Sequence, residues 1–340
     1  MREKLLFILI GLSLYSPLRG QDFQFSQFYA APLYLNPAMT GATELSRAGA
    51  NYRKQWPGLS NDFTAYSAYF DHYSIDMNSG FGISANSFQE SNQNINTSEV
   101  SLFYSYKLEV STDFSIRFGG QSAVVRRSAR LDRLVFGDQI DLFSQTINPD
   151  TQDNIPDFSP YTYLDLSFGT LMSGESFFIG LSAHHINQPN LSFFPGNGES
   201  LLPVKWSLHG GYSFPLGTNN WWGTDYDNQL TLQANYKTQG AYQQLDLGMQ
   251  MLYGSFIGGL GYRGFPSQPE VSNQESIIFL LGVKLDTGLV IGYSYDFMLS
   301  PIGQQAKGAH EVSIRYMFLW GDPKSRGQKS RINKCFHYMM

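Results

Sequence analysis

One cysteine, Cys335, stands in a sequence of 340 residues. A disulfide framework within the chain and a zinc site built on thiolates are therefore excluded. Charge is scarce as well: Asp, Glu, Lys and Arg make up 15% of the residues, against about 25% in ordinary soluble domains. After the first twenty residues no apolar run approaches the roughly 20 residues of a spanning helix, and the mean hydropathy is −0.25. A helical membrane protein is excluded on both counts. Low-complexity tracts and internal repeats beyond a hairpin rhythm are missing too. What the chain has instead is 15% aromatic residues and 33 glycines, the composition of a β-rich chain in an unusual solvent. Length alone would allow two domains of about 150 residues; the pattern along the chain argues for one large unit.

The first segment reads as a signal peptide over residues 1–20. Arg2 and Lys4 precede an apolar run from Leu5 to Tyr15, too short to span a bilayer. Gly20 precedes Gln21, where cleavage is expected, and no cysteine follows that would carry a lipid anchor. An exported chain without helical spans is either a soluble β protein or a membrane β-barrel.

Alternation favours the barrel. In QLTLQANYK, Leu230, Leu232, Ala234 and Tyr236 oppose Thr231, Gln233, Asn235 and Lys237. The same period of two splits QLDLGMQMLY, LVIGYSYDFML and EVSIRYMFLW, which is the strand signature. A soluble sandwich also alternates. Here, however, the apolar face often ends in aromatics (Tyr253, Tyr262, Phe297, Trp320) and the other face carries Lys237, Asp246, Glu311 and Arg315 at mid-strand. Interface girdles and a water-lined lumen account for both. The expected fold is all-β: a transmembrane outer-membrane β-barrel of about fourteen antiparallel strands, the first near 47–56 and the last near 309–320. Short turns at 110–113, 173–174 and 286–288 read as periplasmic, and the long connections 128–159 and 186–202 as extracellular. An even strand count puts both chain ends on the periplasmic side.

Charge partitions along the chain. Residues 21–320 hold 15 Lys+Arg against 26 Asp+Glu, whereas the tail 321–340 has five basic residues and one acidic. The acidic barrel disfavours nucleic-acid binding. The basic tail, placed in the periplasm, is either a solubilising appendage or a docking peptide for an acidic partner. The division expected is thus signal peptide 1–20, an N-terminal plug or strap 21–46, barrel 47–320 and basic tail 321–340. The strap is too interrupted by Pro32 and Pro37 for one helix or strand, and too aromatic to lie free in water.

This N-terminal stretch closely resembles the PorP/SprF family of the Bacteroidota type IX secretion and gliding machinery. The resemblance rests on QFSQFYAAPLYLNPAMTGA at Gln24–Ala42, NYRKQWPG at Asn51–Gly58, HHINQPN at His184–Asn190 and YSYDFMLSPIGQQAKGAHEVSIRY at Tyr293–Tyr316, and so covers nearly the whole mature chain. It implies an outer-membrane barrel that binds, anchors or helps deliver type IX cargo, large adhesins with type B C-terminal domains. The gliding adhesin is one such cargo, and the implied partners are the adhesin C-terminal domain, type IX components including periplasmic ring proteins, and outer-membrane lipid. Candidate plug and interaction residues are Phe25, Gln27, Phe28, Tyr29, Asn36, Pro37 and Trp56. The run from Arg53 to Gly58 reads either as a girdle Trp56 with flanking cations or as a latch between the N-terminal segment and the wall. Asn187, Gln188, Phe193 and Phe194 are candidate contacts in an extracellular loop.

Catalytic chemistry has little support. Ser182 and His184 share a strand face, but no third group completes a triad. His184 and His185 are expected to point to opposite faces and so not to chelate one ion; Asp165 and Asp246 are scattered lumen carboxylates. Asp296 is expected to pair with Arg315 or Arg263. No enzyme activity, cofactor or metal is expected. The rival functional reading is a small-solute diffusion channel or transporter, which the aromatic strap would obstruct.

Overall fold

The computed structural model describes residues 22–320 except 92–94, 130–136, 142–143, 145, 149–158, 194–199, 222–223, 265–275 and 301–302. Fourteen strands close into one antiparallel barrel. They are β1 (Ser46–Gln55), β2 (Phe63–Ser74), β3 (Ser79–Glu90), β4 (Ile95–Ser111), β5 (Phe114–Ala129), β8 (Tyr161–Ser173), β9 (Phe177–His184), β10 (Lys205–Trp221), β11 (Thr224–Gln239), β12 (Tyr242–Tyr253), β13 (Phe256–Gly264), β14 (Ser276–Lys284), β15 (Leu289–Met298) and β16 (Ala309–Phe318). Each pairs with its neighbours in sequence, β5 passing to β8. Inside that long connection β6 (Ile140–Asp141) and β7 (Thr146–Ile147) form a separate two-stranded ribbon. The barrel closes where β1 meets β16, with Ser46 opposite Phe318 and Gln55 opposite Ala309.

The two faces are inverted relative to a soluble protein. Leu102, Leu281 and Phe256 are about 60% exposed or more on the outside, while Asn235, Arg117 and Glu311 are fully buried within. Only a hydrocarbon solvent outside and a polar interior make that arrangement favourable. Closure leaves no free sheet edge. Aromatic pairs such as Tyr52–Tyr66 (5.2 Å) and Phe70–Trp320 (6.0 Å) lie toward the rims. β10 and β11 run further than alternation indicated, to Trp221 and from Thr224. The ladder continues past the apolar zone through a bulge at Pro215/Gly217, because backbone pairing does not depend on side-chain polarity.

Residues 22–45 lie inside the barrel. Their one-turn helices, Phe28–Ala30, Pro32–Leu35 and Pro37–Met39, are too short to be stable alone. Pro32 and Pro37 preset the first helical residue of two of them, and the Asn36 side chain caps the last by accepting from Ala38 N. The segment threads the length of the lumen. Glu44, near the start of β1, meets Lys107 and Arg117 close to the β4–β5 turn. Asp22, at the other extreme, meets Lys205 and Gln239 at the opposite end. An even strand count brings Ser46 and Phe318 together, but the strap carries the chain's earlier residues to the other mouth.

The wall makes room for this backbone with a cross-strand glycine pair, Gly119 opposite Gly169. A Cβ on Gly119 would stand 2.3 Å from Ala38 N, and one on Gly169 would stand 1.9 Å from Asn36 Oδ1. Gly120, the next residue, has open space around its missing Cβ. Gly119→Val is expected to destabilise the barrel by about 1–3 kcal/mol and to expose residues 30–42 to protease in detergent. Gly120→Val should do neither; equal protease resistance of the two variants would contradict this seating.

Candidate functional site

The strap and the mouth it reaches form the candidate site. Its upper tether is ionic. Asp22 Oδ2 accepts from Lys205 Nζ at 2.5 Å and from His185 Nε2 at 2.8 Å, and Oδ1 accepts from Gln239 Nε2 at 3.1 Å. His185 Nδ1 donates to Asp165 at 2.7 Å. Burial opposes charge on His185, but Asp22 and Asp165 outweigh it and push its pKa up to about 9. Burial likewise opposes charge on Asp22, and His185 and Lys205 overcome it, holding the carboxyl well below the usual range. Just below, Gln24 bridges Lys237 and Tyr242. Phe23 stacks on Phe88 at 5.4 Å, and Phe25 and Tyr34 meet edge-on at 5.5 Å.

The next turn is held by its backbone. Glu311 accepts the N–H of Ser26 at 2.7 Å and of Gln27 at 3.0 Å, one on each carboxylate oxygen. Arg53 binds Ser26 Oγ, Asp296 and Glu311 together. Arg263 links Asp246 and Asp296 and donates to the carbonyl of Phe25. The Gln27 amide donates to Ser294 and accepts from Ser313. Lower down, the Leu35 carbonyl accepts from Ser182 Oγ at 2.9 Å and His184 Nε2 at 3.1 Å. Asn36 Oδ1 is taken by Ala38 N, so Nδ2 is the donor to Thr170 O and to His209 Nε2. Ser105 and Asp71 bind the backbone of Thr40 and Gly41.

Most of the residues singled out in the sequence come together here. Phe25 joins Ala31 and Ala65; Phe28 joins Ala38, Met39, Leu171 and Phe178; Tyr29 packs on Leu252 and Leu280. Gln27, Asn36 and Pro37 line the strap's bonds to the wall. Trp56 ends β1 at φ 59°, its ring edge-on to Phe63 at 5.4 Å; the latch to the strap is made by Arg53, three residues earlier. Asn187 folds back on β8, donating to Leu164 O and accepting from Leu166 N, and Gln188 closes a turn on His185. Phe193, in the connection between β9 and β10, packs on Tyr161 at 5.2 Å with Arg127 over its ring. Phe194 lies outside the described residues, as do the signal segment and the tail 321–340.

One expectation is corrected, and one pair of alternatives is decided. β9 ends at His184 and His185 takes φ 59°, which breaks the alternation and turns both imidazoles into the lumen. Of the two partners expected for Asp296 the structure takes Arg263, adds Arg53 and leaves Arg315 out. In the β15–β16 ladder Asp296 lies opposite Ala309 and Arg315 opposite Val290, six residues or roughly 20 Å apart. Arg53 belongs to the run that reads as a latch, whereas Asp22 and Glu311 were not legible as site residues; for Glu311 the inward phase of β16 was the available signal.

Above the strap a cavity of about 450 Å³ opens at the mouth, lined among others by Phe23, Tyr34, Trp56, Phe88, Arg127 and Tyr163. Ser182 and His184, the nearest approach to a nucleophile and base, both spend their donors on one carbonyl. The arrangement fastens a peptide and presents a concave polar and aromatic surface.

Fold and lumen together define an outer-membrane β-barrel plugged by its own N-terminal segment. The chain belongs to the family described as type IX secretion system membrane protein PorP/SprF, which matches residues 18–316. Such membership implies interaction with components of that secretion system and points to a non-enzymatic role. Among curated proteins no relative matches the sequence. Similar solved structures include the Acinetobacter baumannii outer membrane protein Omp33, at 6% identity and TM-score 0.41, covering 82% of this chain and 100% of that one. A Pseudomonas aeruginosa FadL homologue is similar at 12% identity and TM-score 0.44, over 83% and 92% of the two chains. A mutant porin of Rh. blastica is similar at 8% identity and TM-score 0.34, over 80% and 99%.

The upper tether sets a pH dependence. His185 is raised above its ordinary 6.5, so its contribution is complete below about pH 6.5 and is lost as pH rises through about 9. Asp22 is depressed, so its contribution is complete above the ordinary carboxylate range and fades only in acid. The His185 imidazole, followed by NMR in micelles, should titrate near 9, and Asp22→Asn should lower that midpoint. An unshifted midpoint near 6.5 would rule the tether out.

Proposed function

We propose that this protein binds type IX cargo, anchoring large adhesins with type B C-terminal domains, gliding adhesins among them, or helping to deliver them at the surface of a Bacteroidota cell. The observation that carries this reading is the filled lumen. A barrel whose interior is bonded along its length to residues 22–45 of its own chain offers partners its rims and mouth, not a path through it. In this reading residues 1–20 are a signal peptide and residues 21–46 the strap. The barrel 47–320 has its strand termini in the periplasm, and the basic tail 321–340 faces the ring proteins of the secretion machinery. The cavity above Asp22 then opens to the cell surface, where Trp56 and Phe193 stand at its rim. A folded or extended segment of the adhesin's C-terminal domain docks there, with aromatic contact and backbone pairing supplying affinity.

A tag inserted in the 149–158 connection leaves strap and tail free for a pull-down from native outer membranes in mild detergent. A large adhesin-like protein or type IX components are expected to co-purify in stoichiometric amounts. A barrel recovered alone, even after cross-linking in cells that express the machinery, would overturn the anchor reading. A diffusion channel would then be the better account, and planar-bilayer conductance would measure it.

A further inference from the structure

Five arginines are buried among the described residues, and four of them meet a carboxylate. Arg47 pairs with Asp71, Arg53 with Asp296 and Glu311, Arg117 with Glu44, and Arg263 with Asp246 and Asp296. Arg315 is the exception. It is 2% exposed, and its Nε, Nη1 and Nη2 have no hydrogen-bond partner among the described residues. A buried cation without a counter-charge is among the costliest features a fold can hold.

Its surroundings offer donors. Arg315 of β16 lies opposite Gly49 of β1, and Gly49 lies opposite Tyr69 of β2. Because Gly49 has no side chain, the Tyr69 phenol fills that space, its oxygen 2.6 Å from where a Cβ would stand. The Tyr69 hydroxyl and Nδ2 of Asn51, two residues along the same face of β1, are likewise buried without a partner. The nearby carboxylate, Asp71, is already taken. Its Oδ1 accepts from Arg47 Nε at 2.9 Å, and its Oδ2 from Arg47 Nη2 at 3.0 Å and Gly41 N at 2.7 Å. Two guanidinium groups and one carboxylate leave a net single positive charge. Water can take up the hydrogen bonds but not the charge.

The geometry points to a small monovalent anion bound by Arg315, with the Tyr69 hydroxyl and the Asn51 amide as further donors, on the seam where the first and last strands close the barrel. Chloride fits the requirement: it matches the single charge, takes donors from any direction and is small. A phosphate would bring more charge than the site balances. The anion completes, at the seam, the pairing that carboxylates supply to the other four arginines.

The test uses the full-length protein in detergent at fixed pH and ionic strength. Replacing gluconate by chloride should raise the thermal midpoint by a few degrees, the rise growing with the logarithm of chloride concentration. Arg315→Gln should abolish that difference. In crystals soaked with bromide, an anomalous peak should stand beside Arg315. Equal midpoints in gluconate and chloride together with no bromide peak would overturn the proposal. The bromide soak needs only the native chain, so it decides the matter even if the variant does not fold.

Discussion

Glu311 carries two consecutive backbone N–H groups, those of Ser26 and Gln27, on the two oxygens of a fully buried carboxylate. The rest of the structure depends on that kind of bond. Irregular backbone at membrane depth is tolerated only where protein satisfies every polar group it exposes. Residues 22–45 have no ladder of their own and only single helical turns, so their donors and acceptors must find partners in the wall. Glu311, Asp71, Ser105 and Ser182 each supply such a partner at a different height, and Asn36 of the strap donates in turn to Thr170 O. The strap and the inner face of the barrel are thus one hydrogen-bonded unit.

This requirement explains why charge is so sparse and yet so concentrated. The outer surface faces hydrocarbon and cannot hold ions, so the strands' charged residues turn inward. There they meet as chains: Lys237–Asp246–Arg263–Asp296–Arg53–Glu311 runs from β11 round to β16 and passes beneath the strap. Breaking one member of such a chain leaves a buried charge exposed to nothing, which costs more than the intact pair contributes. The lumen behaves as a protein core built from polar groups. At the mouth the mixed ionic and aromatic tether of Asp22, His185 and Phe23 ends and the cavity begins.

Membership of the type IX family gives this architecture its setting without naming a cargo. Within it, the donors of Ser182 and His184, which share one strand face, are both spent on the Leu35 carbonyl.

The fold class was legible because period-two alternation, aromatic rims and the lack of spanning helices are consequences of local sequence facing two solvents. The strand count followed for the same reason, as did the strap's character, since Pro32, Pro37 and the aromatics between them forbid one long element. The partners of the strap were not legible. Arg53 and Glu311 are 258 residues apart and meet only because β1 and β16 close the barrel, and closure fixes the register that sets Arg53 opposite Glu311. His185 turned inward because a single left-handed residue ended the alternation, and of the two partners expected for Asp296 only Arg263 is within reach, because the stagger of neighbouring strands separates Asp296 from Arg315. Sequence by itself determined which side chains face water and which face lipid, since that choice is made residue by residue. Which of the inward groups meet was decided by the tertiary structure, because shear and closure place residues from opposite ends of the chain side by side.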